Sequence, residues 1–294
     1  MKLHFTTLGV FTSTRYQGNP VAIISVPSSV SPQLSQAQKQ AIASEFNLSE
    51  IVFLHLPEPG TSPEPLSRKI DIFTSYAEVP FAGHPTIGTT HFLLKILKEE
   101  NITEVMTKAG PISIAQDENT GNVKAEIPFD FHVHSHSVTC ALNSVANPVA
   151  SIVNGMTFIY AELPSLEALA AAKGEGNLNA DTYDPSALDE GWQNGLVGTM
   201  YFVPQGEDAH GRKTYRTRMF ASREDPGTGS ASSGLACLLA ERAGVGHFKF
   251  VFEQGVEMGR RNEITVEVQR GESGIEKVIL SGTAVKVMEG TLEI

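Results

Sequence analysis

The sequence predicts an α/β (α+β) protein built from two pseudo-equivalent halves, and three observations lead there. Short β-branched runs alternate with helix-like segments along the chain. The 294 residues suffice for about two domains at the usual ~100–200 residues each. The third observation is a diverged internal repeat. Ile72-Phe73-Thr74-Ser75 aligns with Met219-Phe220-Ala221-Ser222 at an offset of 147 residues. His84-Pro85-Thr86-Ile87-Gly88-Thr89 aligns with Asp225-Pro226-Gly227-Thr228-Gly229-Ser230 at an offset of 141. Each half then reads as a strand, a Pro/Gly loop and the amino end of a helix, the first copy carrying six more loop residues. His84 and Asp225 take equivalent places.

Val21 to Val26 is a short β-branched run and predicts a buried strand. Ser31-Pro32 reads as a helix start with Pro at the first helical position, the helix running to about Phe46. Asn47-Leu48-Ser49 breaks it. Glu50 to Leu56 is the next strand, with Glu50 at its mouth. Pro57 to Pro65 holds four prolines and predicts a surface loop. Ile70 to Phe73 is a strand, and a loop through Gly83-His84-Pro85 leads to a helix from about Thr86 to Lys98. Asp117 to Gly121 is a polar turn and a candidate domain boundary. Leu163 to Asn194 is Ala-rich and then turn-rich, which predicts a helix followed by an irregular excursion. Tyr215 to Phe220 is a strand, Asp225 to Gly229 a turn, and Ser230 to Ala243 a helix ending at Gly244. Ile264 to Val268 and Lys277 to Val287 are strands, with a hairpin at Gly271 to Gly274.

Composition narrows the function. Lys and Arg number 22 against 33 Asp and Glu, a net charge of −11, and the pI is about 5.3. That balance argues against nucleic acid or an anionic membrane as partner. Two cysteines, Cys140 and Cys237, exclude a disulfide scaffold or a multi-Cys metal site and fit a reducing compartment. The first residues carry no signal-peptide pattern, and no stretch approaches the ~18 apolar residues of a membrane span. The expectation is a cytoplasmic protein. Both sequons, at Asn47 and Asn101, read as accidental.

A helix amino end presents N–H groups and partial positive charge, and two such ends facing one cleft form an anion site. Gly83, Gly88, Gly227 and Gly229 allow close backbone approach, and the Thr228 and Ser230 hydroxyls add hydrogen bonds. A small carboxylate suits such a site; taken singly, each loop is an ordinary helix cap. A carboxylic acid at Glu50, partly desolvated, would have its pKa raised and suit proton transfer at a carbon acid. By spacing alone Glu50 reads rather as an edge-strand charge facing water.

Other motifs fail. Gly227 to Ser232 lacks the third glycine of a dinucleotide fingerprint, there is no P-loop, and Ser230 lacks the glycines of a nucleophile elbow. On a regular strand the imidazoles of His132, His134 and His136 share one face, a geometry zinc can use. The sequence shows no second ligand cluster, and period-2 polar residues mark a solvated strand face, so no metal is expected.

Four segments carry a family resemblance: Gln17-Gly18-Asn19-Pro20-Val21-Ala22, Glu45-Phe46-Asn47-Leu48-Ser49-Glu50, Glu78-Val79-Pro80-Phe81-Ala82-Gly83-His84-Pro85-Thr86-Ile87-Gly88 and Glu224-Asp225-Pro226-Gly227-Thr228-Gly229-Ser230-Ala231. Glu253-Gln254-Gly255, Met258-Gly259-Arg260 and Gly282-Thr283-Ala284-Val285 fit as well. Together they resemble the PhzF family of phenazine-biosynthesis-like isomerases over essentially the whole chain. The resemblance implies the diaminopimelate epimerase-like fold, with two similar domains, each a curved sheet wrapped around a central helix. The domains would be 1–118, completed by a strand at 284–294, and 119–283, with the active site in the cleft between them.

It also implies that Glu50 moves a proton between substrate carbons, that His84 and Asp225 flank the substrate, and that the backbone around Gly83 and Gly229-Ser230 holds its carboxylate, beside the Thr228 hydroxyl read above as a further substrate-binding group. The family's phenazine enzyme isomerises a dihydro-hydroxyanthranilate with no cofactor, and members are commonly homodimers. Related epimerases place a cysteine at each helix start, where this chain has Gly83-His84 and Gly229-Ser230. Cys237 lies seven residues beyond Ser230 and reads as structural. Thr74-Ser75 and Arg260-Arg261-Asn262 depart from the usual Thr-Pro and Arg-Pro-Ser. The function implied is a cofactor-independent isomerase acting on a small carboxylate. The alternative is a non-catalytic protein binding small molecules in the same cleft.

Overall fold

The computed structural model describes residues 2–57, 66–140, 142–173, 188–221 and 223–294. Most of the Pro-rich loop, Ser222 of the repeat and the 174–187 part of the turn-rich stretch lie outside them. The chain divides into two compact units, Met1–Ile127 with Ser281–Ile294, and Pro128–Leu280.

The first unit contains β1 (Lys2–Val10), β2 (Asn19–Pro27), α1 (Gln36–Phe46), β3 (Ile51–Leu56), β4 (Ser67–Phe73), β5 (Glu78–Val79), α2 (Gly83–His91), β6 (Glu104–Thr107), β7 (Gly110–Gln116) and β8 (Val123–Glu126). The Val/Ile run of β2 is buried on both faces, as an apolar strand covered on both sides must be. One covering element is α1, over Ala22, Ile24, Ile51, Phe53 and Phe73. That helix starts later than the Ser31-Pro32 signal predicts. Ser31–Gln33 is a separate 3₁₀ turn, and Ser35 caps α1 in a capping box with Gln38. Proline suits the first turn of either helix type, so the signal marked only the nearer one.

The other covering element is α2, which packs against β1, β2, β3 and β8 and is buried from Gly83 through Thr90. It starts three residues before the expected Thr86, because Pro85 falls in the first turn, where a missing N–H costs nothing. It continues into one wide π turn, Phe92–Ile96, in which the Leu97 N–H donates to the Phe92 carbonyl.

The second unit contains β9 (His132–Thr139), β10 (Ala146–Val153), β11 (Met156–Glu162), α3 (Leu166–Ala171), β12 (Leu196–Glu207), β13 (Lys213–Phe220), β14 (Glu224–Asp225), α4 (Gly229–Ala243), β15 (Gly246–Gln254) and β16 (Asn262–Gly271). The expected strand over Lys277 to Val287 is two strands, β17 (Gly274–Gly282) and β18 (Ala284–Glu293), parted at Thr283. β18 pairs antiparallel with β1 along its length, so the two ends of the chain meet in the first unit. The Asp117 to Gly121 turn joins β7 to β8 inside that unit, and the divide falls after Ile127.

The pairing is duplicated. β1 lies antiparallel to β2, as β10 does to β11. β2 and β3 are parallel with α1 between them, as β11 and β12 are with α3. β3 is antiparallel to β4, as β12 is to β13. β4 then pairs with the two-residue β5 and, across α2, runs parallel to β6. β13 does the same with β14 and, across α4, with β15. Each unit therefore surrounds one buried helix with strands.

This duplication corrects the second repeat alignment. Ile72 faces Val79 and Phe73 faces Glu78, while Met219 faces Asp225 and Phe220 faces Glu224. By topology Asp225 matches Val79, and His84 matches Ser230 in the first turn of α4. The strands repeat at an offset of 147 and the helix starts at 146, so no six-residue insertion exists. Pro and Gly recur in any strand-to-helix turn, and their match at 141 is coincidental.

Candidate active site

Glu50 immediately precedes β3, where α1 delivers it. Asn47 ends α1 in the left-handed conformation, φ 49°, which asparagine tolerates better than most residues. Three residues later the chain enters β3 with Glu50 at its mouth. Beside it lies the Gln17-Gly18-Asn19 turn. Gly18 has φ +71°, and a Cβ there would lie 2.2 Å from the Val10 carbonyl oxygen, so only glycine fits. Asn19 is fully buried, its Oδ1 3.5 Å from Ser49 Oγ.

His84 comes from the second position of α2. Its Nδ1 lies 3.7 Å from Glu50 Oε2, and the two side chains are 6% and 21% exposed. Glu50 therefore faces an imidazole at the start of a buried helix rather than bulk water. Gly83 and His84 occupy the first turn, whose N–H groups no helix satisfies internally. With Ala82 as N-cap and no side-chain cap bond, this helix start carries N–H donors and the positive end of a helix dipole.

In the second unit Asp225, Thr228, Gly229 and Ser230 form the corresponding helix start. Thr228 is the N-cap of α4, yet its hydroxyl does not cap the helix. It donates instead to Asp225 Oδ2 at 2.5 Å and accepts from Gln254 Nε2 at 3.0 Å. Gln254, with no exposed surface, also donates to the Asp225 carbonyl at 2.7 Å and accepts from the Thr228 N–H at 3.0 Å. Asn262, equally buried, donates to the Pro226 and Arg260 carbonyls, both at 2.6 Å. Gln254 and Asn262 thus hold the Asp225–Thr228 loop. Sequence reasoning quoted both residues without giving them this part. The one available signal was an uncharged polar residue at the inner end of each of two apolar strands.

The structure brings Glu50 to His84 in the first unit, and Asp225 to Thr228 in the second. Glu50 has no acidic counterpart, since Ile51 faces Phe73 as Thr199 faces Phe220, and the residue before Thr199 is Gly198. Cys237 is fully buried two turns into α4, and burial pushes its thiol pKa far up, so it is no acid or base.

The model of the phenazine biosynthesis-like protein family, PhzC–PhzF, matches residues 8–290. The chain belongs to the PhzF family. A trans-2,3-dihydro-3-hydroxyanthranilate isomerase of Pseudomonas fluorescens is 28% identical to this PhzF chain, covering 98% of it and 99% of the relative. An uncharacterized isomerase of Pasteurella multocida is 30% identical over 90% of this chain and 87% of its own. A PhzF-family crystal structure from Bacillus anthracis matches all of both chains at 22% identity with a TM-score of 0.74. A hydroxyproline epimerase from Agrobacterium vitis matches 99% of this chain and 92% of its own, at 14% identity and a TM-score of 0.63. The fold is therefore epimerase-like, and this PhzF-family protein is an isomerase with a small-molecule substrate. The reading as a non-catalytic binding protein falls.

Proposed function

We propose that this isomerase moves a proton between two carbons of a small cyclic or conjugated carboxylic or amino acid, using Glu50 as acid and base and no cofactor. The carrying observation is the Glu50 carboxylate, mostly buried and 3.7 Å from His84 Nδ1 at the start of α2. Glu50 takes a proton from the activated carbon. The electron pair left behind delocalises through the conjugated system toward the carboxylate, where oriented first-turn N–H groups stabilise the charge. Glu50 then returns the proton to another carbon, so atoms and electrons balance without an external oxidant or base. His84 orients Glu50. Gly83 contributes backbone donors to the substrate carboxylate, as the family resemblance implies. The same resemblance implies a homodimer, and the cysteine usage of the sequence fits a cytoplasmic one.

Glu50→Gln keeps the size and hydrogen-bonding shape of the side chain but cannot cycle a proton. It is expected to lower kcat by roughly 10²–10⁴-fold while leaving thermal stability and ligand binding nearly unchanged. The measurement is deuterium incorporation from solvent into a dihydro-hydroxyanthranilate or related cyclic amino acid, followed by mass spectrometry. Incorporation at the unaltered rate in the variant removes Glu50 as the base.

A further inference from the structure

The His132-Val133-His134-Ser135-His136 run of β9 has no part in the proposed reaction. A register shift opposite it, between Pro148 and Ala150 of β10, breaks the regular alternation. His132 and His134 stay together, edge to face with ring centroids 4.9 Å apart, while His136 is exposed. They converge on Asp189, which lies 57 residues beyond His132 in the chain. Asp189 Oδ2 is 2.7 Å from His132 Nε2 and 3.9 Å from His134 Nδ1, and one ligand atom from each residue lies within 4.8 Å of the others. A tetrahedral zinc site with bonds of about 2.0–2.1 Å places its ligand atoms about 3.3 Å apart. The widest of the three separations has at most about 1.5 Å to close to reach that spacing.

We propose that His132 Nε2, His134 Nδ1 and the Asp189 carboxylate form a binding site for a divalent transition-metal ion, with zinc the ion they suit best. Two imidazoles and a carboxylate are a ligand set that zinc accepts, with a fourth position left for water. The surroundings are built as a second shell is built. His134 Nδ1 accepts the Asp189 backbone N–H at 3.1 Å, so Nδ1 carries the lone pair and Nε2 the proton. Nε2 then donates to buried Ser151 Oγ at 2.9 Å, itself 2.7 Å from Thr157 Oγ1. That chain fixes the tautomer that a ligand at Nδ1 needs. Ser135 Oγ donates to Asp189 Oδ1 at 2.6 Å, and this leaves Oδ2 toward the imidazoles. Trp192 stacks on His132, centroids 4.6 Å apart and planes 11° from parallel, and walls one side.

On binding, the ion takes the place of the proton between His132 Nε2 and Asp189 Oδ2, that proton is released to solvent, and the metal-bound His132 is the neutral imidazole with its one proton on Nδ1. The Asp189 N–H gives up its bond to His134. No residue of the proposed reaction takes part, so this inference stands apart from it.

The test is titration of the full chain, stripped with chelator and dialysed, with zinc chloride. Calorimetry gives stoichiometry and affinity, and fluorescence of Trp192, the one tryptophan, reports the site. One equivalent is expected to bind with Kd below about 10 μM and to change the Trp192 emission. His132→Ala and Asp189→Asn, each checked for folding by circular dichroism, are expected to weaken binding at least about tenfold, with His136→Ala unchanged. Binding by the unaltered chain weaker than that limit overturns the proposal. So does binding that survives both site substitutions, or binding that His136→Ala abolishes.

Discussion

Asp71 is a buried carboxylate with several cationic neighbours. Its Oδ2 accepts from Lys39 Nζ at 2.5 Å and from His55 Nε2 at 2.7 Å, and Lys69 Nζ lies 3.6 Å from Oδ1. The His55 ring continues the chain to Ser31 Oγ at 2.9 Å. Burial alone would raise the Asp71 pKa; the hydrogen bonds and charges of His55 and Lys39 outweigh it and hold the group well below the usual carboxylate range. A depressed folded-state pKa contributes stability that is present above the unfolded value, ~3.9, and is lost as pH falls below it. Asp71→Asn strands Lys39 and is expected to cost about 3–5 kcal/mol at neutral pH. Thermal melts at intervals from pH 6 to pH 3 check this, since the gap between the two proteins should narrow toward the acid end. None of this cluster was legible beforehand, because Lys39, His55 and Asp71 sit on three separate elements. Glu50 was legible, because it adjoins a helix stop and a strand start in one short motif.

At the scale of elements, α2 and α4 decide the fold. Both are buried on nearly all sides, and each has a glycine five residues past its start, Gly88 and Gly234. A Cβ at Gly88 would lie 2.8 Å from Val21 Cγ1, and one at Gly234 would lie 2.1 Å from Tyr160 Oη. These glycines let the strands close on the helix. Tyr160 is itself buried and donates to the Ala231 carbonyl at 3.1 Å, so its ring has no room to retreat. Gly234→Ala is therefore expected to destabilise the protein by about 1–3 kcal/mol despite the better helix propensity of alanine. Chemical denaturation reads the result; an increase in stability would mean that Tyr160 can shift freely. Helix α4 was readable to within a residue, from its apolar run and closing Gly244. The α1 start was not, because a 3₁₀ turn and a capping box both satisfy the same short pattern.

For the whole molecule, the consequential contact is between the chain ends. β18 pairs with β1 from Lys2 to Val10, and Leu292 and Ile294 pack on the core that holds Leu3. A chain ending at Gly282 leaves β1 with only β2 as neighbour. Hydrogen exchange followed by mass spectrometry should then show loss of protection in β1 and β2, with β11 to β13 retaining theirs. Unchanged protection in β1 would mean that the C-terminal strand is dispensable.

Local chemistry was enough to announce strands alternating with helices, a strand–turn–helix grammar used twice, and a glutamate poised at a strand mouth, because each is written in neighbouring residues. Pairing across the chain settled the rest. Val79, not His84, is the counterpart of Asp225, since hydrogen-bonded register aligns the halves and loop composition does not. Gln254 and Asn262 became loop clamps, and Asp189 met two histidines more than fifty residues away. Such contacts exist only once backbone hydrogen bonding has brought distant segments side by side.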